Sequence, residues 1–240
     1  VAFLEAGAGW VPYMMERLQA RYELLPHWVT HLKRTPEEYI RGEQLFFSME
    51  PLASFRRLEA RVDVAPNDYE ARWRAARAAL VLGVIEEDRE RTDRWLRIAV
   101  QHGSEALTLQ PDNVDAMAWL AAAKGRLATD IAGVREQVRL GQEGWDLTQE
   151  ILAIDHNHAL ANDVLGKLNQ EVRSLSGFER FIARTFLGGG DPMKYSSWED
   201  AEEHILRALE NEPGTVLFYK DLGDTYRLQD KLDLARTAYQ

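Results

Sequence analysis

The chain has 240 residues, of which 45% are hydrophobic and 28% are charged, a balance typical of globular proteins and not of disordered ones. Its 39 acidic and 29 basic residues give a formal net charge of -10, which argues against nucleic-acid binding. Cysteine is absent, so disulfides and thiolate metal sites are excluded, and we expect a reducing, cytoplasmic location. Neither a signal peptide nor an apolar run approaching the ~20 residues of a membrane span is visible.

The first fifty residues predict a mixture of strands and helices. Val1 to Leu4 form a short apolar run that ends at a glycine-rich turn, as a buried strand does. Helical spacing of apolar residues follows between Val11 and Glu23, and Thr35-Pro36-Glu37-Glu38 has the cap, proline and acids of a helix start. The aromatic-rich run Gln44 to Met49 predicts a second strand. Together these elements predict a short α/β piece.

Residues 1–51 also carry phrases that resemble an internal stretch of the amidohydrolase-related metal-dependent decarboxylases and hydrolases, which are TIM barrels. The phrases are Phe3-Leu4-Glu5-Ala6-Gly7, Gly9-Trp10, Arg17-Leu18, and Leu32-Lys33-Arg34 with Pro36 and Tyr39. The resemblance implies about two βα units, whereas a closed barrel and its active site need eight. The metal-binding histidines and aspartate of that family are not present in register. We therefore interpret this part as an incomplete barrel fragment with no catalytic residues, no metal and no cofactor.

After Pro51 the chain shows successive helical patterns separated by similar breaks. The spacing of these breaks is 45 residues from Pro66 to Pro111 (111 − 66) and from Pro111 to His156 (156 − 111), and 57 from His156 to Pro213 (213 − 156). Recurrence at such intervals predicts a stacked helical solenoid. The chain begins at Val1 and stops within a helical pattern at Gln240, so we expect a fragment truncated at its C-terminus.

The last repeat resembles the tetratricopeptide consensus, in which small residues let paired helices approach and a proline ends the second helix. The family period is ~34 residues, so these repeats carry insertions. Asn169 stands where the consensus expects an aromatic residue, and His156 stands where it expects proline. The predicted packing positions are Ala106, Pro111, Leu165, Gly166, Ala201, Ala208, Pro213, Leu222, Gly223, Tyr226 and Ala235.

Residues 56–240 are also similar to the tetratricopeptide domain of the regulator of microtubule dynamics family. Leu165-Gly166, an inserted helix with Phe178, Arg180, Ile182 and Phe186, and the repeat that begins at Trp198-Glu199-Asp200-Ala201 carry this similarity. The resemblance implies an adaptor role. It carries no claim of microtubule binding to this chain, because no residue is identified as a tubulin site. We expect a tetratricopeptide-like domain over residues 52–240.

In this fold the first helix of each pair lines the interaction groove. Transfer of the consensus positions gives Asp163, Lys167 and Gln170 in one repeat and Lys220, Asp224 and Arg227 in the last. The known clamp for a C-terminal carboxylate uses Lys, Asn and Arg at such places. Asp224 replaces the asparagine and would repel a carboxylate, so we predict no binding of acidic chaperone-type C-terminal peptides. The alternative is that these charges are only solvated.

Other candidates for chemistry have simpler interpretations. His27 and His31 lack the glutamate of a zinc motif, and His156 and His158 lie at a repeat turn. Gly188-Gly189-Gly190 follows a helix and lacks the lysine of a phosphate loop, so it predicts a flexible helix end. Five tryptophans are interpreted as inter-helix packing residues: Trp73, Trp95, Trp119, Trp145 and Trp198.

The sequence therefore predicts a non-enzymatic helical scaffold for a protein or peptide partner of unknown identity, without cofactor. Two alternatives stay open at this point. One is an inactive piece of an amidohydrolase-type enzyme fused to a repeat domain, and the other is a purely structural fragment.

Overall fold

The computed structural model describes residues 37–240, which form helices joined by short turns and, within that range, no β-strand. Twelve helices follow one another in this range. They are α1 (Glu37–Phe47), α2 (Pro51–Val64), α3 (Tyr69–Ile85), α4 (Arg89–Leu109), α5 (Val114–Asp130), α6 (Val134–Ile154), α7 (Ala159–Ser174), α8 (Gly177–Phe186), α9 (Gly190–Tyr195), α10 (Trp198–Asn211), α11 (Val216–Leu228) and α12 (Leu232–Ala238).

The helices pack as antiparallel pairs that stack in chain order. The pairs are α1 with α2, α3 with α4, α5 with α6, α7 with α10, and α11 with α12. The first helices of successive pairs also touch one another: α3 contacts α5, α5 contacts α7, and α7 contacts α11. This arrangement forms a continuous row of first helices backed by the second helices, which is the layout of a helical solenoid.

The four predicted repeat breaks are confirmed as turns, and each is followed by a first helix. The side chains of Asp68 and Asn113 accept hydrogen bonds from the backbone N–H groups of Ala71 and Ala116, which fixes the starts of α3 and α5. His158 caps α7 in the same way, because its Nδ1 atom accepts from the Ala161 N–H at 3.2 Å. A turn residue followed by a helix start thus accounts for the His156-Asn157-His158 phrase.

Small residues bring the paired helices together. Alanines fill the interior side of α3, where Ala71, Ala75, Ala78 and Ala79 are buried between α2, α4 and α5. At Gly166 of α7, an added Cβ would lie 2.5 Å from a side-chain carbon of Ile205 on α10. This close approach requires glycine, so α7 and α10 pack nearly backbone to backbone at this point.

The long third interval contains an insertion, α8 and α9, between the two helices of one pair. Ser176 and Glu179 form a capping box at the start of α8. The Arg180 guanidinium donates to the backbone carbonyl of Arg173 at 3.2 Å and to that of Leu175, which fastens α8 to the end of α7. Gly188, with φ 73°, follows the end of α8 in the left-handed conformation. Phe178 and Phe186 on α8 face solvent.

The strand predicted at Gln44 to Met49 is wrong, because α1 continues through Phe47. A short apolar run does not distinguish a strand from a buried helix, and packing decides here in favour of the helix. The Ser54 hydroxyl on α2 donates to the Gly42 carbonyl at 2.8 Å, and Glu43 pairs with arginines of α3. The helix predicted to start at Thr35-Pro36-Glu37-Glu38 is confirmed from Glu37 onward, where α1 begins. The elements predicted between Val1 and Glu23, and His27 and His31, lie in residues 1–36, outside the described residues. The described part of the chain gives no support to an incomplete TIM barrel.

Candidate functional site

The predicted groove residues of α7 share one face of that helix. Asp163, Lys167 and Gln170 follow each other at helical spacing and face α11. The adjacent face of α7, with Gly166 and Asn169, meets α10 and the turn before it. The Asn169 side chain donates to the Leu165 carbonyl at 2.8 Å and accepts from the Ser197 N–H at 3.2 Å, so a polar link replaces the aromatic contact that the consensus predicts there.

Two polar contacts join α7 to α11. The Lys167 Nζ atom lies 3.3 Å from Asp221 Oδ1, and the Thr225 hydroxyl lies 2.7 Å from Gln170 Oε1. All of these residues are buried except Lys167, whose side chain is 27% exposed. We call this set the α7–α11 seam, and it consists of Asp163, Lys167, Gln170, Asp221 and Thr225.

The predicted residues of α11 form an exposed rim beside the seam. Lys220 Nζ lies 2.7 Å from Asp224 Oδ2, and Arg227 lies 3.6 Å from Asp224 Oδ1. The Tyr239 hydroxyl donates to the same Oδ1 at 2.7 Å. Burial raises the pKa of Asp224, but the hydrogen bonds from Lys220 and Tyr239 outweigh it, so this pKa lies below its ordinary value. Asp224 is therefore an ion-paired carboxylate at the outer edge of the site.

Asp163 is the exception among these acids. Its side chain is buried, with the residue 3% exposed, and its Oδ1 atom has no hydrogen-bond partner among the described residues. Burial raises its pKa well above the ordinary value, and the nearby charge of Asp221 raises it further, against the opposing effect of Lys167 and Lys220. Burial also raises the pKa of Asp221, although Lys167 opposes that shift. Of these two buried acids, only Asp221 forms an ion pair with Lys167.

Sequence reasoning missed Asp221 and Thr225, which complete the seam. They are four residues apart, one position away from the predicted Lys220 and Asp224, and so occupy the neighbouring face of α11. The only signal in the sequence was an acid and a hydroxyl at helical spacing within the phrase DLGDTY. Their role becomes visible only when α11 is packed against α7.

The predicted packing residues lie at helix contacts or at the ends of helices. Ala106, Leu165, Ala201, Ala208, Leu222 and Ala235 are buried, and Tyr226 packs against the cluster of α10 and α11. At Gly223 an added Cβ would meet the Tyr239 ring at 2.3 Å. Pro111 and Pro213 are exposed in the turns that follow α4 and α10.

A second cluster holds the start of the row of first helices. The Arg77 guanidinium of α3 pairs with Glu43 of α1 and lies 4.0 Å from the Phe46 ring centre. Trp73 and Trp119 flank the same guanidinium at 5.4 and 5.8 Å. These two tryptophans pack between helices, and Trp95 packs edge-on against Phe55 at 5.1 Å. The cluster joins α1, α3 and α5.

Within residues 37–240, no group of three or more His, Cys, Asp or Glu side chains is arranged to hold a metal ion. In the same range, no helix is both long enough and apolar enough to cross a bilayer.

The stacked helix pairs and the row of first helices define a tetratricopeptide-like repeat protein. A crystal structure of TTC0263, a thermophilic TPR protein of Thermus thermophilus, has the same fold, with a TM-score of 0.60 at 18% identity over 84% of this chain and 86% of that one. MamA residues 41 to the end from Desulfovibrio magneticus RS-1 gives a TM-score of 0.47 at 16% identity, over 84% and 89% of the two chains. The curated proteins include no match to this sequence. The model of the family described as regulator of microtubule dynamics protein 1-3 matches residues 42–240, so the chain belongs to that family.

Proposed function

We propose that this protein is a non-enzymatic scaffold that binds a protein partner along its row of first helices. The observation that carries the proposal is the direct contact between successive first helices, which joins their outward sides into one continuous surface. Tetratricopeptide-like repeats stack in this way to form extended binding surfaces. The exposed charges of Lys220 and Arg227 on α11, next to the buried seam, support the proposal.

The absence of native cysteine makes this proposal easy to test, because a single introduced cysteine can be labelled without background. Peptides selected for binding from a random display library serve as probes. A fluorophore at Arg227→Cys reports on the first-helix row, and one at Arg94→Cys, an exposed position of α4, reports on the second helices. Circular dichroism of both labelled chains checks that they are folded.

We expect selected peptides to change the fluorescence at position 227 and leave the signal at position 94 unchanged. A response at position 94 alone would place binding on the opposite side of the solenoid and contradict the proposal. Failure of any peptide to be enriched would contradict it as well. A separate titration tests the prediction that acidic chaperone-type C-terminal peptides do not bind. Calorimetry with one such peptide should show no micromolar affinity.

A further inference from the structure

The α7–α11 seam contains one more buried carboxyl group than its close cations pair with. Lys167 lies 3.3 Å from Asp221, and Lys220 lies 2.7 Å from Asp224 but 4.0 Å from Asp221. Asp163 forms no ion pair among the described residues, and its Oδ1 atom is buried without a hydrogen-bond partner. A buried carboxylate in this condition is costly, and a cation that reached it would remove that cost.

We propose that the α7–α11 seam accepts a lysine or arginine side chain of the bound partner, with Asp163 as its acceptor and Asp221 beside it. This inference rests on the proposed function, because it names the chemistry of a segment held on the row of first helices. The formal net charge of -10 also favours a basic partner, because the chain attracts positive charge at long range.

Lys167 and Lys220 are the cations that act on Asp163. Lys167 and Lys220 have long, flexible side chains that are 27% and 60% exposed, so both can turn aside when another cation enters. The released Lys167 ammonium keeps a partner in Gln170, whose Oε1 atom lies 3.4 Å away. The exchange therefore adds a cation to the seam and leaves no lysine without a partner.

Binding should be coupled to protons. Burial and Asp221 raise the pKa of Asp163, and a cation that pairs with its carboxylate would lower that pKa again, so binding releases protons at any pH at which Asp163 is partly protonated in the free chain. Affinity should therefore increase with pH through the range in which Asp163 titrates. The charged groups that act on this seam are Lys167 and Glu171 of α7, Lys220, Asp221 and Asp224 of α11, and Arg126 and Asp130 of α5.

The test uses the full chain and the peptides selected from the random display library. Enriched peptides should contain more lysine and arginine than the unselected pool. One such peptide is then compared with a matched peptide that carries norleucine in place of its key basic residue, and both are titrated into wild type and Asp163→Asn. Asp146→Asn is the control, since Asp146 is an exposed acid on α6, a second helix.

We expect norleucine in the peptide, or Asp163→Asn in the chain, to weaken binding at least about tenfold, and the two changes together to cost little more than one alone. Asp146→Asn should stay within about twofold of wild type. Calorimetry in buffers of different ionisation enthalpy should show proton release for wild type and less for Asp163→Asn. Asparagine has almost the shape of aspartate, and the norleucine comparison on the unmodified chain does not depend on how the variant folds.

Enriched peptides without basic residues, or equal affinity of wild type and Asp163→Asn, would overturn the inference while the proposed function stood, because a peptide would still be bound. The absence of any enriched peptide would overturn both.

Discussion

Replacing Glu43 by alanine should weaken the packing of α1 against α3. Glu43 lies between two arginines of α3, with its side chain 8% exposed, and it pairs with Arg77 and with Arg74 at 3.3 Å. Arg74 keeps a second acid, Glu70, one turn earlier on its own helix. Arg77 is 6% exposed at its side chain, and burial lowers its pKa while Glu43 raises it. The alanine variant thus leaves one buried guanidinium without its carboxylate.

Breaking a buried ion pair on one side costs about 3–5 kcal/mol, because the remaining charge is desolvated without compensation. Arg77 keeps its contact with the Phe46 ring at 4.0 Å, a favourable interaction of about 1–2 kcal/mol, so we expect the lower end of that range, about 3 kcal/mol. The double variant Glu43→Met with Arg77→Met should recover most of the loss, since apolar residues of similar volume remove both charges together.

Urea denaturation followed by circular dichroism gives the free energy of unfolding, and hydrogen exchange shows where the chain opens. Exchange is needed because stacked repeats can unfold in parts. The loss should be concentrated in α1 to α3. Glu136→Ala is the matched control, because Glu136 pairs with Arg97 at 3.3 Å on the partly exposed surface and should cost less than about 1 kcal/mol. A Glu43→Ala loss as small as that of the control would refute the reasoning.

Three further changes test the packing and the titration of the solenoid. Gly166→Ala should destabilise the chain by about 1–3 kcal/mol, because the added Cβ would lie 2.5 Å from the Ile205 side chain. Gly125→Ala is the control: nothing lies within 4 Å of its added Cβ, so it should be neutral or stabilising by up to about 1 kcal/mol. Urea denaturation compares the two variants. Asp163→Asn should raise Tm at neutral pH. The pKa of Asp163 is raised in the folded state. Wild type therefore loses stability as the pH rises from 3.8, the ordinary pKa of an aspartate, to the raised pKa. The gain in Tm from Asp163→Asn should vanish in acid. Burial lowers the pKa of His204 below its ordinary value of 6.5. Wild type should therefore lose stability as the pH falls below 6.5, where the unfolded chain takes up the proton first. His204→Gln should reduce that loss when Tm is measured across this pH range.

The helical solenoid could be predicted because its signals are local. The turns at Pro66, Pro111, His156 and Pro213 recur in similar phrases, and each one ends a helix whose apolar positions have helical spacing. The inserted helix α8 was also predictable, since its apolar residues Phe178, Ile182 and Phe186 recur every four positions. Such features depend only on residues within one or two helical turns.

The segment from Gln44 to Phe47 was predicted wrongly because its conformation depends on distant contacts. Its aromatic run fits a strand as well as a helix. The deciding partner, Arg77, is 34 positions away from Glu43 on α3, where it meets both Glu43 and the Phe46 ring. No periodicity within the segment carries that information.

The candidate site was predictable only in part, because its remaining contacts join residues that are far apart in the sequence. Consensus positions gave one face of α7 and the rim of α11, but they did not give the seam between the two helices. Thr225 and Gln170 are 55 positions apart, and their contact follows from how the insertion α8–α9 lets α10 return against α7 before α11 begins. The burial of Asp163 is likewise a property of packed helices and has no signature in its own sequence neighbourhood.

Asp163, which has no ion pair among the described residues, is better explained by binding than by folding. Two asparagines of the same helix, Asn162 and Asn169, show that an amide can be buried in α7 with its hydrogen bonds made. An asparagine at position 163 would avoid the cost of a buried carboxylate beside Asp221. The two explanations predict different results for the single variant Asp163→Asn. If the acid serves a partner, the variant gains stability and loses affinity for basic peptides. If the acid serves the fold, the variant loses stability and its affinity does not depend on the charge of the peptide.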